Sequence, residues 1–74
     1  MDTTDKAAFV EAIKDMAEVF QVNMTPGMFH GYFEALNDAE LIDVEAAIKK
    51  AIRYYRFFPK PVEIREFLPQ GLVL

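Results

Sequence analysis

Few side chains in this sequence have the types and spacing that catalysis or metal binding requires. His30 is the single histidine and there is no cysteine, so a metal site would have to be completed by carboxylates. Acid–base catalysis by a carboxylate pair needs a dry cleft that shifts the pKa of one member. The candidate pairs are Glu11 with Asp15 and Glu40 with Glu45, all on the polar sides of predicted helices. The sequence therefore predicts no catalytic residue, no cofactor, no metal and no enzyme activity.

Residues 49 to 58 mix basic and aromatic side chains, the ingredients of a surface that neutralises phosphates and stacks on bases. Phe57 and Phe58 are expected to enter the core where the chain turns, which leaves the bases and one tyrosine outside. The residues predicted to form the most exposed recognition face for a partner are Lys49, Arg53, Tyr54 and Arg56.

The charges are unevenly distributed along the chain, whose net charge is -4. Residues 1 to 48 hold ten acids and two bases, whereas residues 49 to 74 hold six bases and two acids. Such asymmetry can steer a charged partner to one end of a protein. Solvated helix faces that balance each other within one small domain give the same pattern. The acidic remainder of the chain also opposes the approach of DNA.

Length and composition predict one helical domain that covers residues 1 to 74. The hydrophobic share of 53% is sufficient for a core, and without cysteine the stability must come from apolar packing or association. There is no run of about 18 apolar residues, and the N-terminal sequence is acidic where a signal peptide would be basic. We therefore expect a cytoplasmic protein that does not enter a membrane.

Apolar residues at helical spacing predict the first helix from about Thr4 to Phe20, with Thr3 or Thr4 as its cap. The second helix is predicted over about Pro26 to Leu36. The apolar residues are Phe9, Ile13, Met16 and Phe20 in the first helix, and Phe29, Tyr32, Phe33 and Leu36 in the second.

Thr25 and Pro26 form a typical start signal for the second helix. Gly27 and Gly31 each cost roughly 1 kcal/mol relative to alanine inside a helix, so they predict close packing against a neighbouring element.

The third helix is predicted over about Val44 to Arg56, with Asp43 as its cap. Pro59 and Pro61 then force a break, and Pro61 suits the first position of a new helix. The fourth helix is expected over about Pro61 to Leu68, docked by Ile64, Phe67 and Leu68 and closed by Pro69 and Gly71. The predicted fold class is thus all-α, a compact bundle of four short helices. The alternative is a bundle of five, in which an extra turn forms between Asp38 and Ile42.

Three motifs in this order resemble the N-terminal domain of phage replicative-helicase loader and inhibitor proteins. They are Phe33-Glu34-Ala35-Leu36, then Asp43-Val44-Glu45-Ala46-Ala47-Ile48-Lys49-Lys50-Ala51-Ile52, then Phe58-Pro59-Lys60-Pro61-Val62-Glu63-Ile64-Arg65-Glu66. The resemblance covers most of the chain. In that family an aromatic-rich helix, a lysine-bearing helix and a Phe-Pro-x-Pro-x-Glu-Ile-Arg segment follow one another in the same order.

The resemblance implies an all-helical, non-enzymatic accessory protein of phage or prophage DNA replication. Such a protein binds a hexameric replicative helicase and an origin-bound initiator, and it delivers the helicase to DNA while restraining its ATPase. The family pattern places much of the helicase contact in a flexible C-terminal tail, whereas this sequence ends at Leu74. The resemblance supplies no catalytic residue.

Two other functions remain open from the sequence. The first is a small DNA-binding regulatory module that inserts the basic helix 44–56 into a groove. The second is a homodimer in which exposed methionine and phenylalanine side chains meet across a two-fold axis. Separately, Met16, Met24, Met28 and Phe29 could form an adaptable apolar surface for a partner helix, although core packing explains the same residues and is the favoured interpretation.

Overall fold

The structure, a computed structural model, describes residues 1 to 69 as an all-α bundle. A one-turn 3-10 helix (Thr3–Asp5) leads into α1 (Lys6–Val19), followed by α2 (Pro26–Leu36), α3 (Leu41–Tyr54) and α4 (Pro61–Arg65). No strand occurs in residues 1 to 69. The predicted all-α bundle of four helices is confirmed. The predicted stop at Gly71 lies outside the described residues.

The N-terminal helix is capped by Asp2, so the predicted threonine cap is wrong. The Asp2 carboxylate accepts hydrogen bonds from the backbone N–H groups of Thr4 (3.0 Å) and Asp5 (3.2 Å). The Thr4 hydroxyl also donates to it at 2.6 Å, and this bond contributes most to lowering the pKa of Asp2. The Asp5 carboxylate in turn accepts a hydrogen bond from the Asp2 N–H, which completes a capping box.

α1 ends in a Schellman motif that has a glutamine where glycine is usual. The Val22 N–H donates to the Ala17 carbonyl (2.9 Å) and the Gln21 N–H to the Glu18 carbonyl (3.2 Å). Gln21 has a φ of 58°, in the left-handed region. This reversal directs the chain toward the start of α2.

α2 begins as predicted, because the Thr25 hydroxyl accepts a hydrogen bond from the Met28 N–H at 3.2 Å and Pro26 lies in the first turn. The predicted close packing of its glycines is wrong. A Cβ added at Gly31 would meet no atom within 4 Å, and one at Gly27 would meet only the Thr25 hydroxyl at 3.9 Å. Gly31 therefore lies on an open part of the helix surface.

α3 begins three residues earlier than predicted and ends two residues earlier. Glu40 is its N-cap residue and makes no side-chain cap bond, whereas Asp43, the predicted cap, lies in the first turn. Its carboxylate there still favours the positive end of the helix dipole. Residues 37 to 39 form a turn rather than a helix, and Leu41 and Ile42 belong to α3. The alternative fifth element between Asp38 and Ile42 is therefore wrong.

The segment around Pro59 and Pro61 is the predicted break between α3 and α4. Pro59 is fully buried, and its carbonyl accepts a 2.6 Å hydrogen bond from the Tyr32 hydroxyl. Phe58 packs between Phe20 and Tyr32, with ring centroids 6.2 and 5.8 Å away. We call Phe20, Tyr32 and Phe58 the inner aromatic group. It joins α1 and α2 to the connection that precedes α4.

The helical segment that begins with α4 continues for one short turn beyond the regular α-helix. The α-helix ends at Arg65, and 3-10 type bonds continue through Phe67 and Leu68. Arg65 forms a bidentate ion pair with Asp38 (2.8 and 3.0 Å) and donates a hydrogen bond to the Ala35 carbonyl. These contacts hold α4 against the end of α2.

The core is formed where α1 packs on α2 and α3, and α4 packs on α2 and α3. The expected docking of the final helix is confirmed, because Ile64 is fully buried and Leu68 is 9% exposed. Met16 is fully buried and Met24 packs against the core, which confirms core packing for these two methionines. The buried cluster consists of Phe9, Ile13, Met16, Leu36, Val44, Ala47, Ile48, Ala51, Ile64 and Leu68.

Candidate functional site

The predicted recognition residues all lie at the surface, but they do not all share one helix face. Lys49 and Arg53 are exposed one turn apart on α3, and Tyr54, the last residue of α3, is 65% exposed. Arg56 is also exposed, yet it lies two residues beyond the end of α3. The prediction that Arg56 belongs to the helix is therefore wrong, because the chain becomes extended at Tyr55.

Four aromatic side chains form a continuous series beside these bases, which we call the outer aromatic series. Tyr54 stacks on Phe67 at a centroid distance of 6.3 Å, Phe67 lies 5.7 Å from Tyr55, and Tyr55 stacks on Phe57 at 5.9 Å. Phe57 is 61% exposed, so the prediction that it enters the core is wrong, whereas Phe58 is half-buried against the core as expected. The series begins and ends with an exposed ring.

Local backbone geometry explains how this series forms. Tyr55 has φ -100° and ψ 148°, an extended conformation that takes the chain out of α3. The chain then bends at Arg56 and Phe57, and the Phe57 ring stacks on Tyr55. The 3-10 turn after α4 returns Phe67 to the gap between Tyr54 and Tyr55.

A hydrogen bond from the Tyr55 hydroxyl to Glu66 Oε1 (3.0 Å) fixes the middle of the outer aromatic series. Desolvation raises the pKa of Tyr55, and the hydrogen bond to Glu66 adds to this increase because only the protonated hydroxyl can donate to the carboxylate. The tyrosine is therefore held in its neutral form. A neutral ring in this place can stack on another aromatic or apolar group.

The chemistry available at this surface is recognition by stacking, by apolar contact and by cation contact from Arg53 and Arg56. Within residues 1 to 69, no cluster of three or more His, Cys, Asp and Glu side chains could hold a metal ion. No helix in the same residues is long and apolar enough to cross a membrane.

Sequence reasoning identified the exposed bases and Tyr54 but missed Phe57 and Phe67 as part of the surface. The signal for Tyr54 was its position on the polar side of a helical pattern. Phe57 follows the helix in an aperiodic segment, so no pattern showed which way its ring points. No protein-family model, curated protein or solved structure matches this chain.

Proposed function

We propose that this chain is a non-enzymatic protein-interaction module of the replicative-helicase loader and inhibitor type. It acts in phage or prophage DNA replication by contact with a replicative helicase or an origin-bound initiator. The observation that carries the proposal is the outer aromatic series, which presents Tyr54 and Phe57 at 65% and 61% exposure beside exposed arginines.

These residue types are the ones that supply binding energy in protein interfaces. Tyrosine, phenylalanine and arginine are enriched in interface cores, and tyrosine and arginine dominate hot spots. Tyr54 rests on Phe67, and Phe57 rests on Tyr55. Because the rings are already held by their neighbours, a partner that covers them orders little additional side-chain freedom. The series is thus a preorganised contact surface.

The class of partner comes from the resemblance of three sequence segments to helicase loaders, and the geometry is compatible with it. The third of these segments contains Phe58-Pro59-Lys60-Pro61, which connects α3 to α4 and includes the first ring after the outer aromatic series. A surface of aromatic rings and arginines also suits a protein partner better than a small substrate.

Binding to a purified hexameric replicative helicase and to its origin initiator tests this proposal. We expect the double variant Arg53→Glu, Arg56→Glu and the double variant Tyr54→Ala, Phe57→Ala each to weaken binding by about tenfold or more. Circular dichroism and thermal melting should show both variants folded, since the altered side chains lie largely in solvent.

Lys14→Glu is the control for charge reversal, because Lys14 is an exposed base on α1 and its reversal changes the net charge in the same direction by half as much. It should bind like the unaltered chain. If the aromatic and arginine variants bind normally, the surface is not the contact. If neither the helicase nor the initiator binds the unaltered chain, the loader proposal fails.

The second candidate is a small DNA-binding regulatory module that uses α3. The observation in its favour is the exposure of Lys49, Lys50 and Arg53 along this helix. The net charge of -4 opposes it, and so does the position of Arg56 outside α3. If these three bases contact DNA phosphates, the logarithm of the association constant should fall linearly with the logarithm of the salt concentration, with a slope of about -2 to -3. A largely apolar protein contact would change little with salt.

A further inference from the structure

A groove between α1 and α3 forms a second surface, separate from the outer aromatic series. Its volume is about 620 Å³. Each helix contributes residues at positions i, i+3, i+4 and i+7, which lie along one face of a helix. The lining residues are Ala8, Glu11, Ala12 and Asp15 from α1, and Glu45, Ile48, Lys49 and Ile52 from α3.

The two helices run in the same direction along this groove. At one end, the Met1 amino group donates to the carbonyls of Asn37 and, at 2.9 Å, Ala39, which places the start of α1 near the start of α3. At the other end, Phe20, just after α1, contacts Phe58, just after α3. Two adjacent helix faces that run side by side form the trough into which the ridge of a third helix packs.

The floor of the groove is apolar and shallow. Ala8 and Ala12 supply small side chains one turn apart on α1. On α3 the half-buried Ile52 supplies apolar surface, whereas Ile48 belongs to the core and is only 3% exposed. Small residues at a helix interface allow a close approach of the partner backbone. The groove therefore suits a rod of helical diameter with an apolar stripe.

The rim of the groove carries a clear excess of negative charge. Glu11 and Asp15 lie on the α1 side and Glu45 on the α3 side, with Lys49 as the base among the lining residues. Within residues 1 to 69, none of these three carboxylates forms an ion pair with another residue. A partner that brings basic side chains would find them available, whereas an acidic partner would be repelled.

We propose that this groove binds a basic amphipathic helix of a partner protein. Apolar side chains at helical spacing would lie on the alanine and isoleucine floor, and flanking Lys or Arg side chains would pair with Glu11, Asp15 and Glu45. The proposal does not rest on the helicase-loader function. It concerns a different surface, and Lys49, which borders both surfaces, is left unchanged in the tests.

The probe for this test is a synthetic peptide of about 18 residues, long enough to form a helix. It carries leucines at positions i, i+3, i+4 and i+7 and lysines on the flanking positions. A matched peptide has glutamate in place of every lysine. Titration into isotope-labelled protein, followed by amide chemical shifts, gives both the affinity and the binding surface. We expect shifts centred on Ala8, Ala12, Ile48 and Ile52, and no comparable binding of the glutamate peptide.

Two double variants with equal charge change make the test specific. Glu11→Gln, Asp15→Asn neutralises the rim, and Glu18→Gln, Glu34→Gln neutralises two exposed acids that do not line the groove. We expect the rim variant to weaken binding by about tenfold and the control variant by less than about twofold. Ala8→Gln, which fills the floor without a charge change, should also weaken binding.

Several results would overturn the proposal. Equal weakening by the two double variants would indicate non-specific charge attraction. Equal binding of the glutamate peptide, shifts centred on Tyr54 and Phe57, or no lysine-peptide binding at all would reject the basic helix as occupant. Groove shifts that depend on protein concentration without peptide, together with a dimer in sedimentation, would assign the groove to a second copy of the chain.

Discussion

The inner aromatic group and the outer aromatic series lie on either side of the same connection, yet only the outer aromatic series contains largely exposed rings. Phe58 packs between Phe20 and Tyr32, whereas its neighbour Phe57 is 61% exposed and stacks on Tyr55. The residue type is the same in both places. The difference comes from the backbone, which leaves α3 at Tyr55 and is then held at Pro59. Aromatic content alone therefore does not separate a ring that packs into the fold from one that stays in solvent.

The strongest test of this comparison replaces each of the two adjacent phenylalanines with alanine. Phe58→Ala should lower the free energy of unfolding by about 2 to 3 kcal/mol, because it removes the centre of the inner aromatic group and leaves a cavity. Phe57→Ala should cost less than about 0.5 kcal/mol, because the ring is largely in solvent. Urea denaturation of both variants measures the difference.

A small domain has little stability to lose, so Phe58→Ala can be largely unfolded at room temperature. Phe58→Leu, which keeps most of the apolar volume, then provides a folded variant of intermediate stability. Equal losses for the two alanine variants would mean that Phe57 and Phe58 do not differ in role.

A second comparison uses the hydroxyl groups of the two regions. Tyr32→Phe removes the 2.6 Å hydrogen bond to the Pro59 carbonyl, which is partly buried, and should cost about 1 kcal/mol. Tyr55→Phe removes an exposed bond to Glu66 and should cost clearly less, because water replaces the lost partner. Chemical denaturation at pH 7 measures the free energy of unfolding of both variants. A larger decrease for Tyr55→Phe would mean that the exposed hydroxyl contributes more to stability than the partly buried one.

Alkaline pH sharpens the same contrast. Burial, with a smaller effect from the charge of Glu63, raises the pKa of Tyr32 above its ordinary value of 10.0. The folded state thus favours the neutral form of Tyr32. The resulting gain in the free energy of unfolding is complete below pH 10 and is lost as the pH rises through the folded-state pKa. We expect the melting temperature to fall above pH 10, and to fall less in Tyr32→Phe. An unchanged alkaline slope in that variant would contradict the role of Tyr32.

Helical spacing in the sequence predicted the fold class and the core faces of the helices, because burial of an amphipathic helix follows its periodicity. Helix ends were harder to predict. Asp43 has the residue type of a cap, but the apolar Leu41, which packs against the core, extends α3 by another turn. At the N-terminus, Asp2 competes successfully with two threonines for the cap position.

The candidate surfaces were only partly predictable. Lys49, Arg53 and Tyr54 could be placed in solvent from the pattern of one helix. The stacking of Phe67 on Tyr54 could not, because it depends on how α4 docks after the bend. The groove between α1 and α3 could not be predicted either. The sequence shows the row of lining residues on each helix, but only the tertiary structure shows that the two rows lie side by side.

Gly31→Ala tests whether α2 needs its glycine to hold Tyr32 in the inner aromatic group. An added Cβ would meet no atom within 4 Å, so we expect alanine to stabilise the protein by about 0.5 to 1 kcal/mol through its higher helix propensity. Gly27→Ala, close to the helix cap, should give a smaller gain. A loss of stability in Gly31→Ala, measured by thermal and urea unfolding, would show that the open surface at this position is functionally or structurally constrained.

The smallest effect is expected at the ion pair between Arg65 and Asp38, which holds α4 against the end of α2. The hydrogen bonds from Arg65 lower the pKa of Asp38 below its ordinary value of 3.8. The carboxylate therefore contributes stability above that value and loses it as the pH falls through the folded-state pKa. Because the two side chains are 63% and 43% exposed, Asp38→Asn should cost less than about 0.5 kcal/mol at neutral pH. It should also flatten the loss of stability as the pH falls below the ordinary aspartate pKa of 3.8. An unchanged acid profile would mean that solvent screening leaves the pair without effect on folding.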